Sequence, residues 1–398
     1  MRCPRRRSHN NKHGRQGRLR MTQHSRKSIA NLARLHTFMD EAGLDAVVLR
    51  SGQNFTYLSG VVYPGTLARH MDLADSMRAV ILLWPRHGQP VIIANKTAAG
   101  LAQRDAWVER VELYEGYVES PYSKLAALMR EAGLDKTRVG FEQDYVSARD
   151  WALVQRELPQ LQMVDCTALM DRVRWVKTPG EVAQIRRAAD LLDDVYLEVF
   201  GRIRPGDTER KVHADMIATC LSKGFEWAHG ILNTDKNTIA YAGESDTVIS
   251  PGDVIRTDYV AYLGGYAGHQ SRNVIIGEPS PLQREEYRIN LEIYRATIDR
   301  CRAGAVVHDL YQFVMDAFAQ NQWVYKSLLV GHGVGAWWHQ QEPILRRGSQ
   351  IVLEEGMVLA LEPHKDYWHV QDMVLVQQGA PLLLSSKFNT DQPFIVPV

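Results

Sequence analysis

The word Glu-Ala-Gly-Leu-Asp occurs twice, at 41–45 and at 131–135. Each copy closes a helical stretch and opens a strand-like one. Ile29 to Ala42 has helical apolar spacing and runs into Ala46-Val47-Val48-Leu49; the second copy runs into Arg138-Val139-Gly140-Phe141. The glycine of the word suits a helix C-terminus, and short apolar runs suit buried strands. A chain that repeats this helix-to-strand step is confined to α/β architectures. Ala79 to Trp84 and Val91 to Ala94 predict two more strands, separated by the turn-like His87-Gly88. The alternation continues to about residue 165, which predicts an α/β domain with a mixed sheet over 28–169.

A different pattern begins near Met170. Glu181 to Phe200 predicts a long amphipathic helix and Glu209 to Lys223 a second, joined through Pro205-Gly206-Asp207. Strands are expected at Val254–Thr257, Asn273–Ile276, Val358–Leu361 and Met373–Val376, and helices at Leu282–Cys301 and Asp309–Gln320. This is an α+β pattern, with helices covering one face of an antiparallel sheet, and it assigns a second domain to 170–398. The 398-residue length agrees with two to three domains.

Composition excludes several classes. Apolar residues make up 45% and charged residues 23%, as in ordinary globular chains. The longest aliphatic and aromatic run, near Ala79 to Trp84, is far short of the ~20 residues that cross a bilayer. The four cysteines lie far apart with no Cys-x-x-Cys pair. That excludes a disulfide scaffold and a cysteine zinc cluster, and fits a reducing, cytoplasmic setting. Ten of the 47 Lys and Arg fall within residues 1–27, which hold no acid, so the remainder carries 37 bases against 46 acids. The basic stretch is expected to be an unstructured extension, translated upstream of a true start at Met21. No apolar segment follows it, so it is not a secretory signal. An acidic body makes nucleic acid an unsuitable main partner.

Five segments concentrate acids, imidazoles and glycines. Asp258 and His269 flank the turn-like Gly264-Gly265, so they can face each other across a hairpin. Gly331-His332-Gly333-Val334-Gly335 sets one imidazole among three glycines, with no evident packing purpose for them. His339 precedes Glu342-Pro343. Glu355-Gly356-Met357 leads into Leu361-Glu362-Pro363, and Gln371-Asp372-Met373-Val374 closes the series. Elsewhere an isolated histidine is expected to be a surface or core residue, and His87, His229, His308 and His364 are read so. Trp337-Trp338 and Tyr367-Trp368 are read as core or, where they line the cleft, as aromatic faces suited to a small cationic or zwitterionic substrate.

The order of these segments resembles the pita-bread family of creatinase, prolidase, aminopeptidase P and methionine aminopeptidase. Asn54-Phe55-Thr56-Tyr57-Leu58-Ser59-Gly60 is similar to that family's N-terminal motif, and Lys177-Thr178-Pro179-Gly180-Glu181 to the motif opening its catalytic domain. The resemblance covers about residues 28 to 398. It implies an α/β N-terminal domain, an α+β pita-bread catalytic domain, a small-molecule substrate and a homodimer. It also implies that Arg69, His70 and Arg78 lie where relatives send a loop into a partner's site.

The family's metallopeptidases hold two divalent ions with Asp, Asp, His, Glu and Glu. By resemblance these map onto Asp258, His269, His332, Glu362 and Gln371. The two departures are the carboxylates that bridge the ions. An imidazole offers one lone pair, and a Gln carbonyl is a neutral, weak ligand. A two-ion centre is therefore not expected. Two arrangements stay open: one ion (Zn, Mn or Fe) on His269, His332 and Glu362 with Asp258 beside it, or no metal, with histidine acid–base chemistry as in creatinase. The family's proton-handling His maps onto Tyr241, a poor base near neutral pH. Catalytic roles are assigned to His332, His339, Tyr241 and Glu362, and substrate contacts to Asp258, Trp338, Arg69 and Gln371. The expected activity is creatinase-like hydrolysis of a C–N bond in a small cationic or zwitterionic molecule. Alternatives are a metal-dependent Xaa-Pro peptidase or dipeptidase, a lyase on the same fold, and a non-enzymatic binding module.

Overall fold

The computed structural model describes residues 27–63, 78–237, 245–336 and 339–398. In the N-terminal half, α1 (Leu32–Glu41), β1 (Ala46–Arg50), α2 (Gln53–Ser59), β2 (Ile81–Pro85), β3 (Val91–Asn95), α3 (Ala99–Asp105), β4 (Arg110–Tyr114), α4 (Pro121–Glu131), β5 (Arg138–Phe141), α5 (Ala148–Glu157) and β6 (Gln162–Asp165) follow in order. The strands form one six-stranded sheet, β4-β3-β2-β1-β5-β6. It is mixed: β1 runs antiparallel to β2 and parallel to β5. The central strands β1, β2 and β3 are buried along their whole length, which is why they read as continuous apolar runs.

The motif Asn54–Gly60 has a structural explanation. It forms α2, every residue of which is buried. Asn54 Nδ2 donates to Glu142 Oε1 (2.7 Å), and the Tyr57 hydroxyl accepts from the Asn31 backbone N–H (2.8 Å). α6 (Thr167–Trp175) follows, an element without a sequence expectation, and then α7 (Pro179–Phe200). The segment Lys177–Glu181 is the start of α7. Thr178 Oγ1 accepts from Glu181 N–H, the Glu181 carboxylate accepts from Thr178 N–H, and Pro179 occupies the first turn. This reciprocal cap satisfies two donors that a helix start leaves unpaired.

The C-terminal half adds α8 (Glu209–Ser222), β7 (Trp227–Thr234), β8 (Val254–Leu263), β9 (Tyr266–Gln270), β10 (Asn273–Ile276), α9 (Pro281–Ile298), α10 (Val307–Gln320), β11 (Leu329–Gly333), β12 (Gln341–Arg346), β13 (Val358–Leu361), β14 (Asp372–Leu375), β15 (Leu382–Leu383) and β16 (Phe394–Val396). One sheet runs β16-β10-β8-β7 with β9 on β8, and the other β12-β11-β13-β14-β15. The Ser271–Gln371 bridge joins them. α7 and α8 pack on the first sheet through Leu192, Val195, Val212 and Met216, in a core shared with Leu232, Ile255 and Val274. α9 and α10 close over the second through Leu291, Leu310, Val314 and Leu359. No helix among the described residues is long and apolar enough to cross a membrane.

Candidate active site

The β8–β9 hairpin turns at Gly264 and Gly265, both at positive φ (59° and 79°), where a side chain is disfavoured. Its register sets Val260 opposite His269, and β7 sets His229 opposite Val260. His229, Val260 and His269 thus form one rung. Because side chains alternate along a strand, the next rungs on that face are Ile231–Asp258 and Asn233–Arg256. All of these residues line one cavity of about 790 Å³.

The second sheet forms the other wall. His332 on β11 pairs in register with Ala360 of β13 and Ile344 of β12, and Glu362 follows β13 directly. The glycines around His332 do have a packing role, contrary to the sequence expectation. A Cβ at Gly331 would sit 2.5 Å from Ala360 O, and one at Gly333 would sit 2.5 Å from Glu342 O. They let the central strand approach both neighbours closely.

The imidazoles converge. Ring centroids lie 5.3 Å apart for His269 and His332, 4.7 Å for His269 and His339, 6.0 Å for His332 and His339, and 5.3 Å for His229 and His339. His269 Nδ1 faces Tyr259 O (3.1 Å) and His332 Nδ1 faces Gly333 O (3.1 Å). A carbonyl can only accept, so each Nδ1 carries the proton and each Nε2 keeps its lone pair. His339 Nδ1 lies 3.2 Å from the Tyr262 hydroxyl. Burial is the main cause that holds His332 down to about 3 and His229 to about 4, and it pushes His339 well below its usual value. His269 is also lowered by burial, although Asp258 opposes this. All four are neutral near pH 7.

Glu362 is displaced the other way. Burial, then the Asp258 charge, push its pKa well above the carboxylate range, against the pull of Arg256. Its Oε1 lies 3.8 Å from His332 Nε2 and its Oε2 lies 3.3 Å from His369 Nε2, outside hydrogen-bond alignment. Arg256 Nε donates to His369 Nδ1 (3.3 Å). Arginine cannot accept a hydrogen bond, so His369 is protonated on Nε2, the nitrogen turned toward Glu362.

Asp258 is braced from behind. The Ser271 hydroxyl lies 3.2 Å from Asp258 Oδ1 and 2.9 Å from Gln371 Oε1. Gln371 is fully buried, its Nε2 has no partner, and it does not line the cavity. The amide presents an oxygen and a nitrogen of nearly the same shape to Ser271. Turning it over would make Nε2 the donor to Ser271 and free the hydroxyl proton for Asp258.

The cavity therefore brings together Asp258, His269, His332, His339 and Glu362 from the sequence reading. Tyr241, Trp338, Arg69, His70 and Trp337 lie outside the described residues. His229 and His364, read from sequence as background, line the cavity, as does Arg256. His364 Nδ1 meets Glu362 O (2.8 Å), and burial, then Arg256, lower it to about 4. Of the read-as-core pair, Trp368 is buried core and Tyr367 lines the cavity. Arg256 could have been found by the strand period, since it precedes Asp258 by two.

The donor set does not fit a two-ion centre. The neutral Gln371 amide is bonded to Ser271 and does not line the cavity, and His269 has one lone pair and no bridging capacity. Among the described residues no group of His, Cys, Asp or Glu converges tightly enough to hold an ion.

The Creatinase/Prolidase N-terminal domain matches residues 31–176, and Metallopeptidase family M24 matches 183–378. The chain is 24% identical over 350 residues to an Xaa-Pro dipeptidase of Lactobacillus delbrueckii subsp. lactis, covering 84% of this chain and 89% of that protein. It is 22% identical over 370 residues to a creatinase of Bacillus sp. (strain B-0618), covering 87% and 83%. The solved X-Pro aminopeptidase of Thermotoga maritima superposes with a TM-score of 0.77 at 20% identity, over 90% of this chain and all of that one. With the N-terminal and metallopeptidase family models matched in order along the chain, the chain belongs to the pita-bread family of creatinase, prolidase and aminopeptidase P.

Proposed function

We propose that this chain hydrolyses a C–N bond of a small cationic or zwitterionic molecule by imidazole-centred acid–base chemistry, without a two-ion centre. The reaction class is supported by its relatives, whose names are those of C–N bond hydrolases. One observation carries the chemistry: His269 and His332 each have Nδ1 turned to a backbone carbonyl, which leaves the lone pair of the neutral ring on Nε2.

Beside them stands a carboxyl group of opposite tendency. Groups whose environments push their pKa values apart divide into base and acid. Water gives a proton to His332 Nε2 while its oxygen adds to the carbonyl or amidine carbon. The Glu362 carboxyl gives its proton to the departing nitrogen, and the proton on His332 then returns to Glu362 across 3.8 Å. Asp258 binds the cationic end. With the Tyr262 hydroxyl donating to His339 Nδ1, His339 Nε2 carries a hydrogen for the developing oxyanion, a role shared with Tyr241. Trp338, Arg69 and Gln371 remain proposed substrate-side residues, with Gln371 acting through Ser271. A division at 169/170, a homodimer and a cytoplasmic location are proposed with this reading on family resemblance.

A second reading is a metal-dependent Xaa-Pro peptidase or dipeptidase with one ion on His269, His332 and Glu362 beside Asp258. It is favoured by the same carbonyl-anchored Nδ1 atoms, the usual partners of metal-ligating imidazoles. Such an ion would supply Lewis-acid activation of water.

Metal content of the purified chain, together with a pH–rate profile, separates the readings. The expected result is negligible metal, no effect of chelator, and activity that falls as pH rises through the raised Glu362 pKa. One ion per subunit, chelator sensitivity, and activity that rises through neutrality (an ion acidifies its water to pKa about 7) would favour the second reading. Two ions per subunit would overturn the inference from the missing bridging carboxylates.

A further inference from the structure

β8 presents Arg256 and Asp258 on one face, and both line the cavity. Arg256 is half-buried and flanked in register by Asn233 of β7 and Asn273 of β10. Its Nε is committed to His369 Nδ1. His369 is itself fixed, because its backbone N–H donates to Asn273 Oδ1 (2.9 Å). Among the described residues no carboxylate lies within 4.0 Å of the guanidinium, and Nε to His369 is its one hydrogen bond. Among the described residues neither Nη group has a hydrogen-bond or ion-pair partner, and Arg256 lines the cavity. The other cation lining the cavity, Lys326, is paired with Asp366 at the mouth.

A guanidinium anchored through Nε keeps its two Nη groups in a planar fork, the shape that grips a carboxylate through two parallel hydrogen bonds. Arg256 and Asp258 are two strand residues apart, so a positive and a negative group share one wall of the cavity. A doubly charged phosphate would suit it poorly, since Asp258 stands close by and one guanidinium cannot balance two charges.

We propose that Arg256 binds a substrate carboxylate through its Nη fork while Asp258 takes the cationic end, so that the cavity selects small zwitterions over singly charged molecules of similar size. This deepens the C–N hydrolase reading and rests on it for the bond that is cleaved, though not for the binding. Arg256 is the specificity-determining residue, and the presence of both charges on one molecule is the selected property.

Calorimetry on the full chain tests this with three probes: 4-guanidinobutyrate, its cationic half butylguanidine, and its anionic half butyrate. The expected result is that 4-guanidinobutyrate binds on the order of 10- to 100-fold more tightly than either half. Arg256→Gln should bring it down to the level of butylguanidine and leave butylguanidine within about twofold of its wild-type affinity. Arg256→Lys, which keeps the charge without the fork, should recover only part of the loss. Asp258→Asn should bring 4-guanidinobutyrate toward the level of butyrate. The inference is overturned if no zwitterion binds more tightly than its halves. It is also overturned if Arg256→Gln, with an unchanged circular-dichroism spectrum, binds 4-guanidinobutyrate as tightly as wild type. The two readings fail separately. A hydrolysed substrate whose turnover ignores Arg256→Gln sinks this inference and leaves the hydrolase. Arg256-dependent binding with no zwitterion ever hydrolysed keeps this inference and removes the hydrolase.

Discussion

Two arginines, Arg256 on β8 and Arg272 between β9 and β10, live in opposite conditions. Arg272 is fully buried, and its Nη2 donates to Asp193 Oδ1 (2.7 Å) and Asp372 Oδ1 (2.8 Å) while Nη1 donates to the carbonyls of Ser271 and Gln371. The carboxylates around it are themselves used. Asp372 accepts from the Tyr294 and Ser385 hydroxyls, and Asp193 accepts from the backbone N–H groups of Lys387 and Phe388. Arg256, sixteen positions earlier in the chain, makes one hydrogen bond among the described residues and lines a cavity. Its neighbours Glu362 and His369 approach each other without aligning. Burial of charge is common to both clusters. Among the described residues Arg272 leaves only Nε unpartnered, whereas Arg256 leaves both Nη groups so beside open space, and that difference separates a structural knot from a binding site.

The largest expected effect is at the open cluster. His332→Ala should lower kcat by about 10²- to 10⁴-fold, the range for loss of a positioned proton-transfer group, with the chain still folded by circular dichroism. Retained activity would remove the imidazole from the chemistry and bring the binding-module reading back.

The closed cluster should respond in stability instead. Asp372→Ala leaves a buried guanidinium short of a partner, which costs about 3–5 kcal/mol, read as a shift in the urea midpoint. Asp258→Ala should cost less than about 1 kcal/mol, because Asp258 borders solvent-accessible space and its loss strands no buried cation. Equal losses in the two variants would erase the contrast between the clusters.

The floor of the site gives a smaller effect. Gly331→Ala places a methyl 2.5 Å from the Ala360 carbonyl oxygen, and the strand must shift, at about 1–3 kcal/mol. Gly348→Ala is not an equivalent control, since Gly348 has positive φ (80°) and open space around it. Gly100→Ala is one, with open space and no such constraint. A Gly331→Ala melt no lower than that of Gly100→Ala would remove close strand approach as the reason for the glycine.

The parts of this fold that read well from sequence are those buried on both faces. β5, β10 and β13 fall where their apolar runs predict, and α7 begins at its Thr-Pro-x-Glu cap. The strands that build the site read poorly for a physical reason. β7 carries Trp227, His229 and Asn233 on its cavity face, so its pattern lacks the apolar half of an alternating strand. β11 is glycine-rich because it must approach two neighbours, and glycine is a weak strand signal. Motif order located Asp258, His269, His332, His339 and Glu362. It was silent on Arg256, His229, His364 and His369, which join the site only through the pairing of strands and the turn after β13.

The last expected effect is a pH dependence of stability carried by the neutral imidazoles. His332 is lowered to about 3, and His229 and His364 to about 4, mainly by burial. In each case the unfolded chain binds a proton more readily than the folded one between that value and the ordinary pKa near 6.5. Stability is therefore complete above about pH 6.5 and falls on acidification through that window, by at most ~1.4 kcal/mol per pH unit for each group. Glu362 has the opposite sign. Its folded pKa is raised, so the folded chain holds the proton more tightly and its contribution declines as pH rises from the ordinary carboxylate value through the raised one. Urea unfolding at a series of pH values should show a net rise from pH 4 to 6.5, and His229→Asn should flatten it. A slope unchanged in His229→Asn would mean that His229 is not held neutral by the folded cavity. It would then belong with the satisfied residues around Arg272 rather than with the open cluster around Arg256.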